Sequence, residues 1–372
     1  MTVHDCSGLL FLSVPLCPST GFAMSRLLLR SFCLALLAAS MTLPAAAVDR
    51  VIRIGGGEDA GEVTAMDSNT VTLKSRTRGE SSIPTNEIDY IDFDAAPPTL
   101  GAGRSAVDAG NLERAIDALG KAKTATPDNE NVLKEIDYLL AVAALQEAGR
   151  DEAKRAAAIE QMQSASDGLR KHYRYYPALL KLAEAQAAAG QYPQAKATYK
   201  IAGDTPHKNI KLAADVGRGR AELAGNNTAD AETLFRGVVA QAGDTPGEKS
   251  QKLAAQLGLA RVQLSKQQYD EAIAALDAVI RDSTIDDAAV QAEAYLRQGD
   301  AYAAKGGAAK NAILAYLHVD VVPALAKESS IHAEALYRLS QMWPLVAKPD
   351  RASESAGRLQ QLYPASEWAT KL

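Results

Sequence analysis

Residues 178–206 read ALLKLAEAQAAAGQYPQAKATYKIAGDTP, and this stretch decides the fold. Alanine recurs through both halves, Gly190-Gln191-Tyr192 separates them, and Pro206 closes the second. Alanine is the best helix former and lets helices approach closely, whereas glycine suits a turn and proline cannot continue a helix. The stretch therefore predicts two antiparallel helices joined by a short turn.

Similar pairs of helices follow one another along the chain, about seven in all. The fifth contains QYDEAI at residues 268–273 and the sixth EAYLRQGDAY at residues 293–302. A single helical hairpin cannot bury its apolar face, so hairpins that repeat every ~34 residues stack and share a core. With 47% hydrophobic but only 5% aromatic residues, the composition also favours closely packed helices.

These spacings resemble the tetratricopeptide repeat family from about Thr99 to Ala369. The resemblance implies a mainly α fold, an α-solenoid of about seven helical hairpins that forms a right-handed superhelix with a concave groove. The second unit, residues 128–176, departs from the pattern because it is stretched, and its second helix is predicted at residues 151–173.

A different pattern precedes the repeats. Five short apolar runs separated by turn residues predict strands at residues 51–54, 61–65, 70–73, 82–83 and 88–93. Asp67-Ser68-Asn69 suits a tight turn between the second and third strands. The order of these runs resembles small five-stranded barrels of the Sm-like or SH3-like kind. We thus expect a small β domain at residues 48–94, a linker at 95–98 (AAPP) and the repeat array at 99–372.

The first 47 residues look like a targeting region. Met24 to Arg30 supplies a positive leader, Ser31 to Leu43 an apolar run, and Ala45-Ala46-Ala47 a small-residue cleavage site. We interpret residues 24–47 as a signal peptide and residues 1–23 as an upstream extension that precedes the true start. This predicts an exported protein, periplasmic or secreted; retention of residues 31–48 as a membrane anchor is the alternative.

Cysteine usage and charge narrow the possible chemistry. Cys6, Cys17 and Cys33 all precede Val48, so the remaining chain has no disulfide, thiol nucleophile or cysteine metal site. Removing residues 1–47 changes the net charge from −5 to −6, because one aspartate and two arginines leave with them. An acidic protein without a basic and aromatic platform is not expected to bind nucleic acid.

Catalytic constellations are also missing from the sequence. Four histidines follow Val48, namely His172, His207, His318 and His332, and they stand far apart without acids at metal-binding spacing. We therefore predict no enzyme, no catalytic or metal site, no cofactor and no small-molecule substrate.

Aligning the units predicts which residues of each first helix line the groove. One row is apolar throughout: Leu100, Leu139, Leu180, Val216, Leu257, Leu296 and Tyr337. The row four residues later, one turn along the same face, is mostly polar or charged: Arg104, Ala143, Glu184, Arg220, Arg261, Asp300 and Gln341. From Leu180 onward these rows form our candidate partner-binding groove; the alternative is that the apolar row packs between helices and the charged row is a solvated face.

A second candidate surface is unusually aromatic. Tyr173, Arg174, Tyr175 and Tyr176 combine the residue types that dominate binding hot spots and also suit sugar contacts. The alternative is a helix end whose rings cover the neighbouring unit.

Two functions follow from these patterns. The first is a noncatalytic protein–protein interaction scaffold of the cell envelope that binds a partner segment in the groove. The second is an envelope assembly accessory that binds cell-wall or exported polysaccharide.

Overall fold

The structure is a computed structural model that describes residues 48–75, 77–149 and 151–372. The predicted upstream extension and signal peptide lie outside these residues. Among the described residues, no helix is both long enough and apolar enough to cross a membrane.

The first part of the described chain is a five-stranded antiparallel sheet in the order β4-β3-β2-β1-β5. Its strands are β1 (Asp49–Arg53), β2 (Glu58–Met66), β3 (Thr70–Ser75), β4 (Gly79–Pro84) and β5 (Ile88–Asp92). Each predicted strand overlaps one of these. The side chain of Asp67 accepts hydrogen bonds from the backbone N–H groups of Asn69 and Thr70, both at 2.7 Å, which makes the expected turn. Likeness to Sm-like or SH3-like barrels stays a prediction.

Strand β2 belongs to two ladders. Residues Glu58 to Gly61 pair with β1, and residues from Glu62 onward pair with β3. A side chain at Gly61 would bring its Cβ within 2.7 Å of the carbonyl oxygen of Lys74, so the close approach of the strands at this crossover needs glycine.

Helices make up the rest, and the prediction of a mainly α solenoid of about seven hairpins is confirmed. The described residues contain fifteen α-helices: α1 (Pro98–Asp108), α2 (Leu112–Ala125), α3 (Glu130–Ala148), α4 (Arg155–Gly168), α5 (Tyr175–Ala188), α6 (Tyr192–Gly203), α7 (Lys208–Ala224), α8 (Thr228–Gln241), α9 (Pro246–Ser265), α10 (Tyr269–Asp282), α11 (Ala288–Lys305), α12 (Ala309–Val321), α13 (Pro323–Ala326), α14 (Ser329–Met342) and α15 (Pro349–Leu362). The hairpins, numbered here as units one to seven, are α1/α2, α3/α4, α5/α6, α7/α8, α9/α10, α11/α12 and α14/α15, and the short α13 precedes the last.

Several units turn in the same way between their two helices. Gly110 and Gly190 have φ of 66° and 73°, and Asn226 and Gln267 adopt the same left-handed conformation at the corresponding turns. In each case the following backbone N–H bonds back to a carbonyl of the first helix, for example Gln191 to Gln186 at 2.9 Å. This repeated closure keeps the two helices antiparallel.

The second unit differs from its prediction. Its second helix, α4, is shorter than residues 151–173, because a 3₁₀ turn (Glu152–Lys154) precedes it and a turn follows Gly168. The residues after α4 thus leave the helix and carry His172 and Tyr173 into the interior, where both are buried.

First helices of successive units contact one another along the array. We call the surface formed by α1, α3, α5, α7, α9, α11 and α14 the first-helix face. Closely spaced helices form the inner layer of a curved array.

One continuous core joins the sheet to the first units. It combines strand residues such as Val51, Leu73 and Ile91 with helix residues that include Leu100 and Leu139. The sheet is therefore part of the array's packing.

Candidate functional site

The two helices of a unit come into close contact at equivalent positions in different units. At Gly219 and Gly299, an added Cβ would lie 2.6 Å from the ring of Phe235 and 2.3 Å from the ring of Tyr316, each on the second helix of the same unit. These glycines come three residues after Val216 and Leu296, so both members of the predicted apolar row occupy equivalent positions.

Members of the apolar row are mostly inaccessible. Val216, Leu257 and Leu296 are 3%, 1% and 0% exposed and belong to the cores between helices, while Leu180 and Tyr337 are half-buried. The expected apolar floor is therefore corrected: in units four to six this row packs between adjacent helices, which was the alternative interpretation.

Charged residues instead cover the first-helix face of units four to seven. Arg220, Arg261 and Asp300 of the predicted charged row lie there, and Glu184 is exposed one unit earlier. They join four residues that the alignment of rows did not single out, Glu293, Arg297, Glu334 and Arg338. We call the set Arg220, Arg261, Glu293, Arg297, Asp300, Glu334 and Arg338 the ion network.

Within the ion network, Arg297 pairs with all three carboxylates. Its guanidinium donates two hydrogen bonds to Glu334, at 3.1 and 3.0 Å, and one to Asp300 at 2.6 Å. Arg338 pairs with the same two acids at 3.0 and 3.4 Å, and the hydroxyl of Tyr316 donates to Asp300 at 2.9 Å. Burial alone would lower the pKa of Arg297, but the surrounding carboxylates hold it well above its usual value.

At the other end of the ion network, several arginines share one carboxylate, Glu293. Glu293 pairs with Arg261 at 3.0 Å, and Arg220 and Arg297 each lie 3.9 Å from its oxygens. Burial would raise the pKa of Glu293, yet the three guanidinium groups hold it below its ordinary value. Burial lowers the pKa of Arg261, and the neighbouring arginines reinforce that direction. Four arginines thus face three carboxylates.

The predicted aromatic patch is corrected, because it is covered by the chain's own sheet. Tyr173 and Tyr176 are 1% and 7% exposed, and Tyr175 and Arg174 are half-buried. The guanidinium of Arg174 donates to the carbonyl oxygen of Asp89 at 2.8 Å, and the hydroxyl of Tyr176 donates to the side chain of Asn69 at 3.2 Å. These residues contact strands and turns of the sheet.

A fully buried carboxylate, Glu135, organises this junction. Its oxygens accept hydrogen bonds from Arg174 at 2.7 and 3.0 Å and from Tyr173 at 2.7 Å, and Arg104 lies 3.6 Å away. Burial would raise the pKa of Glu135, but the two arginines lower it to about 2. Arg104 also lies 4.0 Å above the ring of Tyr90, so the charged position of unit one is covered by β5.

At the far end, the last residues cover unit seven. The ring of Trp368 packs 5.3 Å from that of Tyr337, and the guanidinium of Arg338 lies 5.6 Å from the indole centroid. The sheet therefore covers the first-helix face at one end, and Trp368 covers it at the other.

Histidines of the described chain serve packing and links between elements. His332 shares hydrogen bonds with Asp320 and Tyr363, both at 2.8 Å, and Arg358 donates to the second oxygen of Asp320 at 2.6 Å. His207 shares a hydrogen bond with Thr85 of the sheet at 3.1 Å. Among the described residues, no group of three His, Cys, Asp or Glu side chains is placed to hold a metal.

Comparison with protein families agrees with this architecture. Residues 177–204, 216–288 and 257–319 match models described as tetratricopeptide repeats. The chain therefore carries tetratricopeptide repeats in the units that contain most of the ion network. A comparison with curated proteins finds no match.

Several solved structures are similar to this chain, and three of them follow. A tetratricopeptide repeat protein from Parabacteroides merdae is 18% identical, covers 74% of this chain and 95% of its own, and has a TM-score of 0.49. PilF of Pseudomonas aeruginosa is 15% identical, covers 75% of this chain and 96% of its own, and has a TM-score of 0.38. A Rap protein complexed with competence and sporulation factor is 13% identical, covers 74% of this chain and 77% of its own, and has a TM-score of 0.46.

Proposed function

We propose that this protein is a noncatalytic scaffold whose first-helix face binds an acidic segment of a partner protein. The observation that carries the proposal is the excess of arginine in the ion network, on a chain whose net charge is −5. Arginine pairs well with carboxylates through its planar set of donors, so a cluster with one more arginine than carboxylate favours acidic ligands.

The accessible end of the network supports this choice. The side chain of Arg220 is 38% exposed and its carboxylate contact is 3.9 Å long, so its N–H groups are available to a ligand. A segment crossing units four to six would meet Arg220 and then Arg261 on successive first helices.

We also propose that the protein acts in the cell envelope. This rests on the leader-like residues 24–47 and on the absence of cysteine from the sequence after Val48. The polysaccharide alternative is less well supported, since it depended on Tyr173 to Tyr176, two of whose tyrosine rings are buried against the sheet.

The test is capture of a partner in cells that express the full chain with a C-terminal tag on a flexible linker, followed by identification of the partner's acidic segment. Arg220→Gln is compared with wild type, and Arg236→Gln serves as the matched control because Arg236 is exposed on the outer helix α8. The proposal expects Arg220→Gln to weaken capture and a synthetic peptide of the acidic segment to compete. Capture that is equal for all three proteins would refute it.

A further inference from the structure

Glu293 holds an unusual position in the ion network. It comes from α11, but it faces arginines of three successive first helices, Arg220 of α7, Arg261 of α9 and Arg297 of α11. Only 17% of its side chain is exposed. One internal carboxylate thus lies where three guanidinium groups converge.

The three arginines depend on Glu293 to different degrees. Arg297 also pairs with Asp300 and Glu334, at 2.6 and 3.0 Å. For Arg220 and Arg261, by contrast, Glu293 is the carboxylate within 4.0 Å among the described residues. In units four and five, the network therefore has two arginines that share one acid.

We infer that Glu293 is an internal competitor for the partner's carboxylate. When an acidic side chain of the partner pairs with Arg220 and Arg261, Glu293 turns toward Arg297, which is four residues away on the same helix face and already 3.9 Å distant. The buried charge of Glu293 keeps a partner throughout the exchange, so the site is never left with an unpaired carboxylate.

This arrangement sets the class of ligand. A weak or single anion gains little binding free energy, because it must replace an ion pair that is already formed. A segment with several acidic side chains forms additional ion pairs with the exposed Arg220. The internal acid thereby discriminates between an acidic protein segment and small anions. The inference rests on the proposed function and deepens it.

The test measures binding of a fluorescein-labelled decaglutamate peptide to the full chain by fluorescence anisotropy. Glu293→Gln removes the competitor, and Glu293→Asp shortens it by one methylene. The matched control is Glu232→Gln, since Glu232 also bridges two cations of neighbouring units, Arg236 at 2.6 Å and Lys266 at 2.5 Å, but does so from the outer helix α8. Arg220→Gln reports whether the peptide binds at the network, and thermal unfolding checks that each variant is folded.

We expect Glu293→Gln to bind the peptide roughly two- to fivefold more tightly than wild type, the size of one partly exposed ion pair, with Glu293→Asp between them and Glu232→Gln unchanged. If Arg220→Gln binds the peptide more weakly but neither Glu293 variant binds it more tightly, Glu293 is not a competitor. The proposed function would still stand. Binding that Arg220→Gln does not change would count against both proposals, as would the absence of binding by wild type and Glu293→Gln alike.

Discussion

The hydroxyl oxygen of Tyr173 accepts a hydrogen bond from the backbone N–H of Ile91 at 3.2 Å, so a residue between α4 and α5 satisfies one backbone donor of the edge strand β5. The same hydroxyl donates to Glu135. A single side chain therefore ties the sheet to the array through two bonds in a buried place.

Replacing Tyr173 with phenylalanine keeps the ring but removes both bonds. Because the Ile91 N–H and a Glu135 oxygen then lose a buried partner, we expect the free energy of unfolding to fall by about 2 kcal/mol. Urea unfolding followed by circular dichroism measures it. Tyr269→Phe, at the start of the outer helix α10, is the control; equal losses in both variants would contradict a special role for Tyr173.

Gly299→Ala tests the close helix contact that sets the register of the units. The added Cβ would lie 2.3 Å from the Tyr316 ring, so we expect a loss of about 2 kcal/mol or more in the free energy of unfolding. Gly120→Ala is the control, because nothing lies within 4 Å of a Cβ at that position of α2. It should be stabilising by roughly 0.5–1 kcal/mol, as alanine is the better helix former. Similar melting temperatures for the two variants would show that the contact is not tight.

His172 should make the junction between sheet and array sensitive to acid. Burial, with smaller contributions from Arg174 and Lys134 opposed by Glu135, lowers its pKa to about 4 from an ordinary value of 6.5. The unfolded chain therefore binds more protons between these values, so stability is full above pH 6.5 and falls as the pH drops toward 4, by about 3 kcal/mol in all.

The measurement is urea unfolding at pH 7, 5 and 4. His172→Gln should remove much of the decline between pH 6.5 and 4, whereas His318→Gln, at an exposed position, should retain it. Glu135 contributes to a further decline below about pH 4.5, because its pKa is lowered to about 2 and its stabilising charge is lost as it is protonated; Glu293 and Glu334, whose pKa values are also lowered, contribute in the same direction. If His172→Gln and wild type decline in parallel from pH 7 to pH 4, His172 is not the group responsible.

Removing Arg297 should destabilise the last units more than removing an exposed arginine. Arg297→Gln leaves Glu334, Asp300 and Glu293 with fewer cations in a largely buried setting, and we expect a loss of about 2 kcal/mol in the free energy of unfolding. Arg236→Gln, whose side chain is 71% exposed, should change it by less than about 0.5 kcal/mol. The contrast is measured by urea unfolding at low salt, and comparable small losses would mean that the network contributes little.

Local patterns in the sequence were sufficient for the hairpins and the strands. The patterns that predict the turn at Gly190 and the strand before Asp67 come from residues that are close together in the sequence. The structure has the expected elements at both places. The junction between sheet and array was not predictable in this way, because Glu135, Tyr173 and Ile91 are brought together only by packing of distant segments. An aromatic and basic run looks the same whether its partner is another protein or another part of the chain.

Three members of the ion network belong to the predicted charged row, but the residues they pair with were not predicted. Arg220, Arg261 and Asp300 came from the row four residues after the apolar one. Arg297 and Arg338 come one residue after the apolar row. At that position units four and five have glycine instead, Gly217 and Gly258, so the arginines occur only in units six and seven of this set. Comparing later units only with each other would have revealed it.

The bond between Ile91 and Tyr173 also bears on how the chain is made. These residues are 82 positions apart, and the ribosome adds about 5–20 residues per second. Strand β5 therefore emerges several seconds before the side chains that cover its outer edge exist. During that interval the nascent sheet presents an open edge to its surroundings, and protecting it falls to the speed of translation and to any chaperone that meets the chain first.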